Sequence, residues 1–192
     1  MKIETERLIL RDFVKNDWQD VAAYNSDPLY LRYNDSIDGT PERVQEFIGW
    51  FLDHQKQNPR IKFQLAITLK SNNQLIGNCG VRMDEVGATK ADIGYELNPN
   101  HWNQGYATEA ASAMVDFGFT HFGVHRIWAD CIAENIGSAH VLEKLGMQLE
   151  ARFRDNKYFK DRWWDTLIYA ILADEWAAHK KGHPIQWKVI EE

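Results

Sequence analysis

Apolar residues recur along this chain in two rhythms, and the points where one replaces the other predict its elements. Leu8, Ile9 and Leu10, running into Arg11-Asp12-Phe13, predict a first strand. Trp18, Val21 and Tyr24 then recur at helical spacing behind Asn16 or Asp17 as a cap. Thr40-Pro41-Glu42-Arg43 opens a second helix with Pro at the first helical position. Val44, Phe47, Ile48, Phe51 and Leu52 carry it until Asn58-Pro59 stops the run. Phe63, Leu65, Ile67 and Leu69 alternate, Leu75 to Met83 does so less cleanly, and Ser71-Asn72-Asn73 between them predicts a hairpin turn. Ala91 to Leu97 adds a third strand to this antiparallel meander, ended by Asn98-Pro99-Asn100.

The second half alternates helix and strand. Tyr106 to His121 predicts a helix with Ala110, Met114, Phe117 and Phe119 inward, and His125 to Ile132 a strand. Gly137 to Leu145 predicts a helix closed by Gly146, and Gln148 to Asn156 another strand. Trp163 to Ala173 supplies the last long strand after a turn at Phe159-Lys160-Asp161-Arg162. With no repeat, low-complexity stretch or linker, the economical reading is one domain over residues 1–192. Its class is α+β, with a mixed, mostly antiparallel sheet of about seven strands flanked by helices.

Composition narrows the function classes. With 44% apolar residues among 192, the chain can bury a substantial core. Its apolar runs are too short to span a bilayer, and Met1-Lys2-Ile3-Glu4 lacks the stretch of a signal peptide, so a cytoplasmic protein is expected. Only Cys79 and Cys131 are present, too few for a disulfide framework or a structural zinc cage. Acidic residues outnumber basic ones 28 to 22, for a net charge of −6, and no Lys/Arg run offers a nucleic-acid surface. Net acidity instead suits a cationic substrate.

Candidate chemistry is concentrated between Asn98 and Ala110. There a strand ends, a short polar loop carries Gly105, and a helix begins at once. The first N–H groups of a helix are unpaired and its dipole places about half a positive charge there, so a pyrophosphate fits without any Lys or Arg. Gly105 lets phosphate oxygens approach closely. No Gly-Lys-Ser/Thr follows, and no second and third Gly complete a dinucleotide fingerprint. His121 and His125 have the spacing of zinc ligands, but a helix is expected to end between them and no metal is expected. Cys131 reads as a core residue, and no Gly-x-Ser-x-Gly elbow exists for a hydrolase.

Ile93-Gly94-Tyr95-Glu96-Leu97 before the loop, with Asn135-Ile136-Gly137-Ser138 and Lys144-Leu145-Gly146 after it, complete a series. Together with Gly-Tyr-Ala-Thr-Glu-Ala at residues 105–110 and Thr5-Glu6-Arg7-Leu8, it resembles the GNAT superfamily of acyl-CoA N-acyltransferases, of the RimJ/RimL type. The resemblance implies the α/β fold of that family, splayed between the strands ending near Leu97 and Ile132, with pantetheine in the gap. It implies that Trp102, Asn103, Gln104, Gly105, Tyr106 and Ala107, with Thr108 at the helix start, grip the pyrophosphate of acetyl-CoA. The family begins this loop with Gln or Arg where this chain has Trp102, a departure that weakens side-chain contacts and leaves a main-chain grip intact. Leu97 and Asn98 would offer main-chain groups to pantetheine, and Asn135 would contact the cofactor.

By the same resemblance Glu96 would be the base, acting directly or through water. An exposed or salt-bridged strand carboxylate is the plainer reading. Many relatives carry a Tyr at the position of Leu142, which cannot donate a proton; Ser138 is then the candidate acid. Structurally, Asn135 would simply cap the helix and Ser138 would decorate its first turn. The implied activity is transfer of acetyl from acetyl-CoA to a primary amine by direct attack in a ternary complex. The amine is on a protein N-terminus, ribosomal or other, or on a small molecule. The aromatics at Tyr158, Phe159, Trp163 and Trp164 read mostly as core or dimer surface; the sharper reading is that some of them, with Tyr30, Tyr33 and Trp50, wall a pocket for a cation. A non-catalytic CoA-sensing or scaffold module, and a plain interaction domain, are the rival classes. Monomer and homodimer both remain open.

Overall fold

A computed structural model describes residues 1–34 and 39–190. Three alternating segments form the predicted meander: β3 (Lys62–Leu69), β4 (Leu75–Arg82) and β5 (Lys90–Leu97), each antiparallel to the next. β2 (Leu8–Asp12) joins their edge antiparallel to β3. β6 (Arg126–Ile132), β7 (Gln148–Phe159) and β8 (Arg162–Leu172) extend the other side. Among the described residues the sheet has nine strands rather than about seven, in the order β7-β8-β6-β5-β4-β3-β2-β1-β9. The added pair, β1 (Lys2–Glu4) and β9 (Lys188–Ile190), are three-residue strands, too short to show an alternation of their own.

β5 and β6 form the parallel pair, and they pair only from Lys90↔Arg126 to Asp92↔Trp128. Beyond Asp92 the two strands diverge, so a gap opens between Leu97 and Ile132. The splayed sheet that the family resemblance implies is present.

Helices cover both faces. α1 (Trp18–Asn25), α2 (Pro28–Leu31) and α3 (Pro41–Gln55) lie on one face over a cluster of Phe13, Val21, Tyr24, Tyr30, Val44, Ile48 and Phe51. The predicted cap at Asn16 or Asp17 takes another form. A 3₁₀ turn over Lys15–Asp17 precedes α1, and the Asp17 carboxylate reaches back to the Val14 N–H (2.8 Å) and the Arg11 guanidinium (2.7 and 2.8 Å). α4 (Tyr106–Phe117) packs on the opposite face against β4 and β5, with Ala110, Met114 and Phe117 buried as predicted. It stops before His121: one π-helical turn over Gly118–Phe122 ends at Gly123, where φ is 66°.

α5 (Ile136–Lys144) closes at Gly146 with φ 75°. The sequence reading lacked α6 (Ala173–Gly182), whose one buried residue, Trp176, leaves no apolar stripe to detect. No helix among the described residues is long and apolar enough to cross a membrane.

Candidate active site

The loop after β5 is shaped by two left-handed residues, Asn103 at φ 59° and Gly105 at φ 82°. Gly105 is the N-cap of α4, so the turn that only Gly adopts without strain sits where the first free helix N–H groups emerge. Both ends of the loop are anchored. The Trp102 indole N–H donates to the Leu97 carbonyl at 2.8 Å, tying the loop to the end of β5. Arg7 Nη1 donates to the Gln104 carbonyl at 2.9 Å, and the same guanidinium lies 4.5 Å from the centre of the Tyr106 ring. Glu109, in the first turn of α4, accepts from Thr5 Oγ1 (2.6 Å), Arg7 N–H (2.8 Å) and Arg7 Nε (2.7 Å). Two motifs a hundred residues apart in sequence thus form one clamp beneath the loop.

A cavity of about 430 Å³ runs from this loop through the gap between β5 and β6. Trp102, Asn103, Gly105, Tyr106, Ala107 and Thr108 line one wall, and Asn135, Ser138, His140 and Lys144 from α5 and its approach line another. Leu97 and Glu96 line it at the end of β5, and Tyr30, Tyr33 and Asn34 close the far end. Two expected residues stand outside it. Asn98 is absent from the lining because its N–H is spent on the Ile76 carbonyl at 2.8 Å and its side chain caps the turn at Asn100 N. Gln104 turns away, its carbonyl taken by Arg7 and its side-chain amide donating to the Asn100 carbonyl at 3.2 Å.

Glu96 is half-buried on the face covered by α1–α3. One carboxylate oxygen accepts from the Tyr30 hydroxyl and the other from the Asn78 amide. Asn34 Nδ2 donates in turn to the Tyr30 oxygen at 3.0 Å. Burial pushes the Glu96 carboxyl above the usual carboxylate range, while the two hydrogen bonds and the Arg82 charge pull the other way. Burial and the charge of Glu96 push Tyr30 far up, so it remains a phenol and a donor. Among the described residues Glu96 is hydrogen-bonded to neutral groups and has no ion-pair partner.

Ser138 lies on the opposite side of the gap. Its Oγ is 3.1 Å from the Tyr95 hydroxyl, which also donates to the Ser138 carbonyl at 2.8 Å. Burial pushes the Tyr95 hydroxyl up, against the pull of its bond with Ser138. Asn135 caps α5 through Oδ1, accepting from Ser138 N–H at 3.2 Å, while also lining the cavity. Sequence reasoning missed Tyr95, Asn78, His140 and Lys144. Strand alternation places Tyr95 and Glu96 on opposite faces, and only the divergence of β5 from β6 lets one cavity reach both.

Other expectations sort by position. Trp50 is not a cavity wall: it is exposed on α3 with its ring against Phe47. Tyr158 and Trp163 are exposed against each other at the β7–β8 turn. Trp164 is buried, stacked on Phe159, and meets Tyr33 edge-on at 5.9 Å, so it backs the cavity wall without lining it. The His121 ring stacks on Phe117 at 4.7 Å within an aromatic cluster. Cys131 is buried, and burial pushes its thiol up to about 11.

A loop with a left-handed Gly at a helix start, opening into a gap between splayed parallel strands, is the arrangement that the family resemblance requires. Residues 7–148 match the family model for the Acetyltransferase (GNAT) domain. The chain belongs to the GNAT acetyltransferase family. It is 38% identical over 178 residues to the uncharacterized N-acetyltransferase YnaD of Bacillus subtilis, covering 92% of this chain and 99% of that one. The crystal structure of a GNAT-family acetyltransferase from Bacillus anthracis superposes with a TM-score of 0.78 at 34% identity, covering 91% of this chain and 99% of that one. RimL, the ribosomal L7/L12 α-N-protein acetyltransferase in complex with coenzyme A, shares the fold at 19% identity and a TM-score of 0.79, with 91% and 99% covered. Membership of the family makes the chain an acetyl-CoA-dependent N-acetyltransferase.

Proposed function

We propose that this GNAT acetyltransferase moves the acetyl group of acetyl-CoA to a primary amine carried by a cationic acceptor, by direct attack in a ternary complex. The observation that carries the reading is the single cavity joining the Gly105 loop to Glu96 through the gap between β5 and β6. The residues fit acetyl-CoA. The left-handed Gly105 leaves the loop without a side chain at the start of α4, and Lys144 and His140 lie along the same cavity. Acetyl-CoA supplies the acyl group as a thioester.

This chain's residues supply the rest. Glu96 takes a proton from the ammonium, directly or through water, and so frees the nitrogen lone pair. Its raised carboxyl range narrows the gap to an amine of pKa about 10. Tyr30 and Tyr33 present ring surface beside the carboxylate, a setting that favours a cation. The Tyr95–Ser138 hydroxyl pair holds the proton that the departing thiolate requires. Leu142, where many relatives carry Tyr, is fully buried, so Ser138 and Tyr95 take that duty. A Cys131 thiol kept protonated supports direct transfer over an acylated cysteine.

Thiol release from acetyl-CoA, measured against polyamines, amino-acid amides and peptides with free N-termini, tests the reading. Steady turnover with one amine class names the acceptor. Absence of turnover with every amine, despite thermal stabilisation by CoA, would leave a CoA-binding module in place of an enzyme.

A further inference from the structure

Four polar side chains cross the α1–α3 face of the sheet in a line that ends at Glu96. Arg82 Nη1 on β4 donates to Gln64 Oε1 on β3 at 2.6 Å. Gln64 Nε2 donates to Asn78 Oδ1 at 2.5 Å, and Asn78 Nδ2 donates to Glu96 Oε1. Gln64 and Asn78 are buried, with 5% and 1% of their surface exposed, where an unpaired amide costs free energy. Two glycines make room for the line. A Cβ on Gly80 would stand 2.1 Å from Gln64 Oε1, and one on Gly94 would stand 2.8 Å from Arg82 Nη2. At its outer end Arg82 is also bonded to Asp92 on β5 through Nε (2.8 Å) and Nη2.

The sense of each bond follows from the two ends. A guanidinium only donates, so Gln64 must turn its oxygen to Arg82 and its NH₂ to Asn78. Asn78 must then turn its oxygen to Gln64 and its NH₂ to Glu96. An ionised carboxylate only accepts, so the line closes without conflict. We propose that Gln64 is a positioning residue for the transfer: by fixing which way the Asn78 amide faces, it holds Glu96 as an ionised acceptor aimed at the amine. Gln64 touches neither the cavity nor Glu96; it acts through Asn78. The inference rests on the reading of Glu96 as the proton acceptor. Among the described residues the titratable groups facing Glu96 are Tyr30 from α2, Tyr24 from α1 and Arg82 from β4.

The test is a ¹³C NMR titration of the Glu96 carboxyl in the full chain, its signal assigned by its loss in Glu96→Gln. Gln64→Met keeps the length of the side chain and removes both amide partners. Gln64→Glu keeps the acceptor for Arg82 but offers Asn78 an oxygen, which turns the Asn78 carbonyl toward Glu96. The expected result is that Glu96 titrates at higher pH in Gln64→Met and higher still in Gln64→Glu. The acid limb of kcat/KM moves by the same amount, and one unit is a tenfold loss at the acid end. A Glu96 titration in folded Gln64→Met superimposable on the wild type overturns the proposal, even if Gln64→Glu is displaced, because added charge alone would do that.

The wild type decides if Gln64→Met does not fold. There the Gln64 side-chain amide protons should shift along the Glu96 titration curve, and an unresponsive amide overturns the proposal. Full turnover in Glu96→Gln would remove the base assignment instead, leaving the carboxyl titrations to decide the amide line.

Discussion

Glu96 carries the heaviest chemical duty in this reading, and its surroundings make that duty measurable. Glu96→Gln should lower kcat by roughly a hundred- to ten-thousandfold, the range of a positioned general base, with the thermal shift from acetyl-CoA retained. In the wild type, kcat/KM should fall on the acid side at a pH above the ordinary carboxylate range, as the raised carboxyl requires. The same shift has a stability counterpart. The folded protein binds this proton more tightly than the unfolded chain, so the contribution is present below the unfolded pKa and declines as pH rises through the folded one. Urea unfolding of Glu96→Gln across that window should lack this decline. Across the gap, Ser138→Ala and Tyr95→Phe should each slow turnover, and the double variant should be little slower than the worse single, since the two hydroxyls are hydrogen-bonded to each other and act as one unit. Wild-type kcat in Ser138→Ala with Glu96 intact would remove Ser138 as the acid.

Elements set where these residues meet, and the segment from β5 through the loop to α4 matters most. Gly105 at φ 82° is the point at which that segment turns its N–H groups outward. Gly105→Ala should cost about 1–2 kcal/mol in backbone strain and raise KM for acetyl-CoA with little change in kcat. A Kd measurement by calorimetry checks it: unchanged affinity would mean the loop does not grip the cofactor through its main chain. Much of this segment was legible beforehand, because Asn98-Pro99-Asn100 ends a strand and Gly105 opens an apolar helical pattern. Arg7 and Glu109 were visible only as members of separate motifs. Their contact depends on β2 lying beside β3 and on α4 crossing behind the sheet, which no local pattern encodes.

At the scale of the whole molecule, the C-terminal segment closes the far edge of the fold around one buried carboxylate. Asp116 on α4 accepts from Trp176 Nε1 (2.8 Å), Lys180 Nζ (2.6 Å) and Trp187 Nε1 (2.8 Å). Two of these donors lie on α6 and the third just before β9, so the carboxylate ties both to the central helix. Burial pushes Asp116 up, but the bonds from Lys180 and the two indoles outweigh it and hold the carboxyl below its usual range. A depressed folded pKa gives stability that is present above the unfolded value and lost as pH falls through the folded one. Asp116→Asn should therefore cost about 1.5–3 kcal/mol at neutral pH, the range of hydrogen bonds to a charged group, and should flatten the loss of stability on acidification. Urea unfolding at neutral and acid pH measures both.

The order of the longer strands and most helices, the antiparallel meander and the loop at Gly105 are written in the chain, because each depends on residues close in sequence. Val44, Ile48 and Phe51 mark one helix and Phe63 to Leu69 one strand without reference to anything else. Asn103 to Ala107 mark a turn into a helix start for the same reason. What the chain does not spell out is pairing at a distance. Asn78 and Gln64 look like ordinary polar strand positions until β3, β4 and β5 lie side by side and place them in line with Glu96. Tyr95 and Glu96 become parts of one site only where β6 diverges, and Trp50 drops out because α3 turns it to solvent. Local spacing encodes backbone conformation, whereas a site is a set of neighbours, and neighbours are set by how the sheet closes.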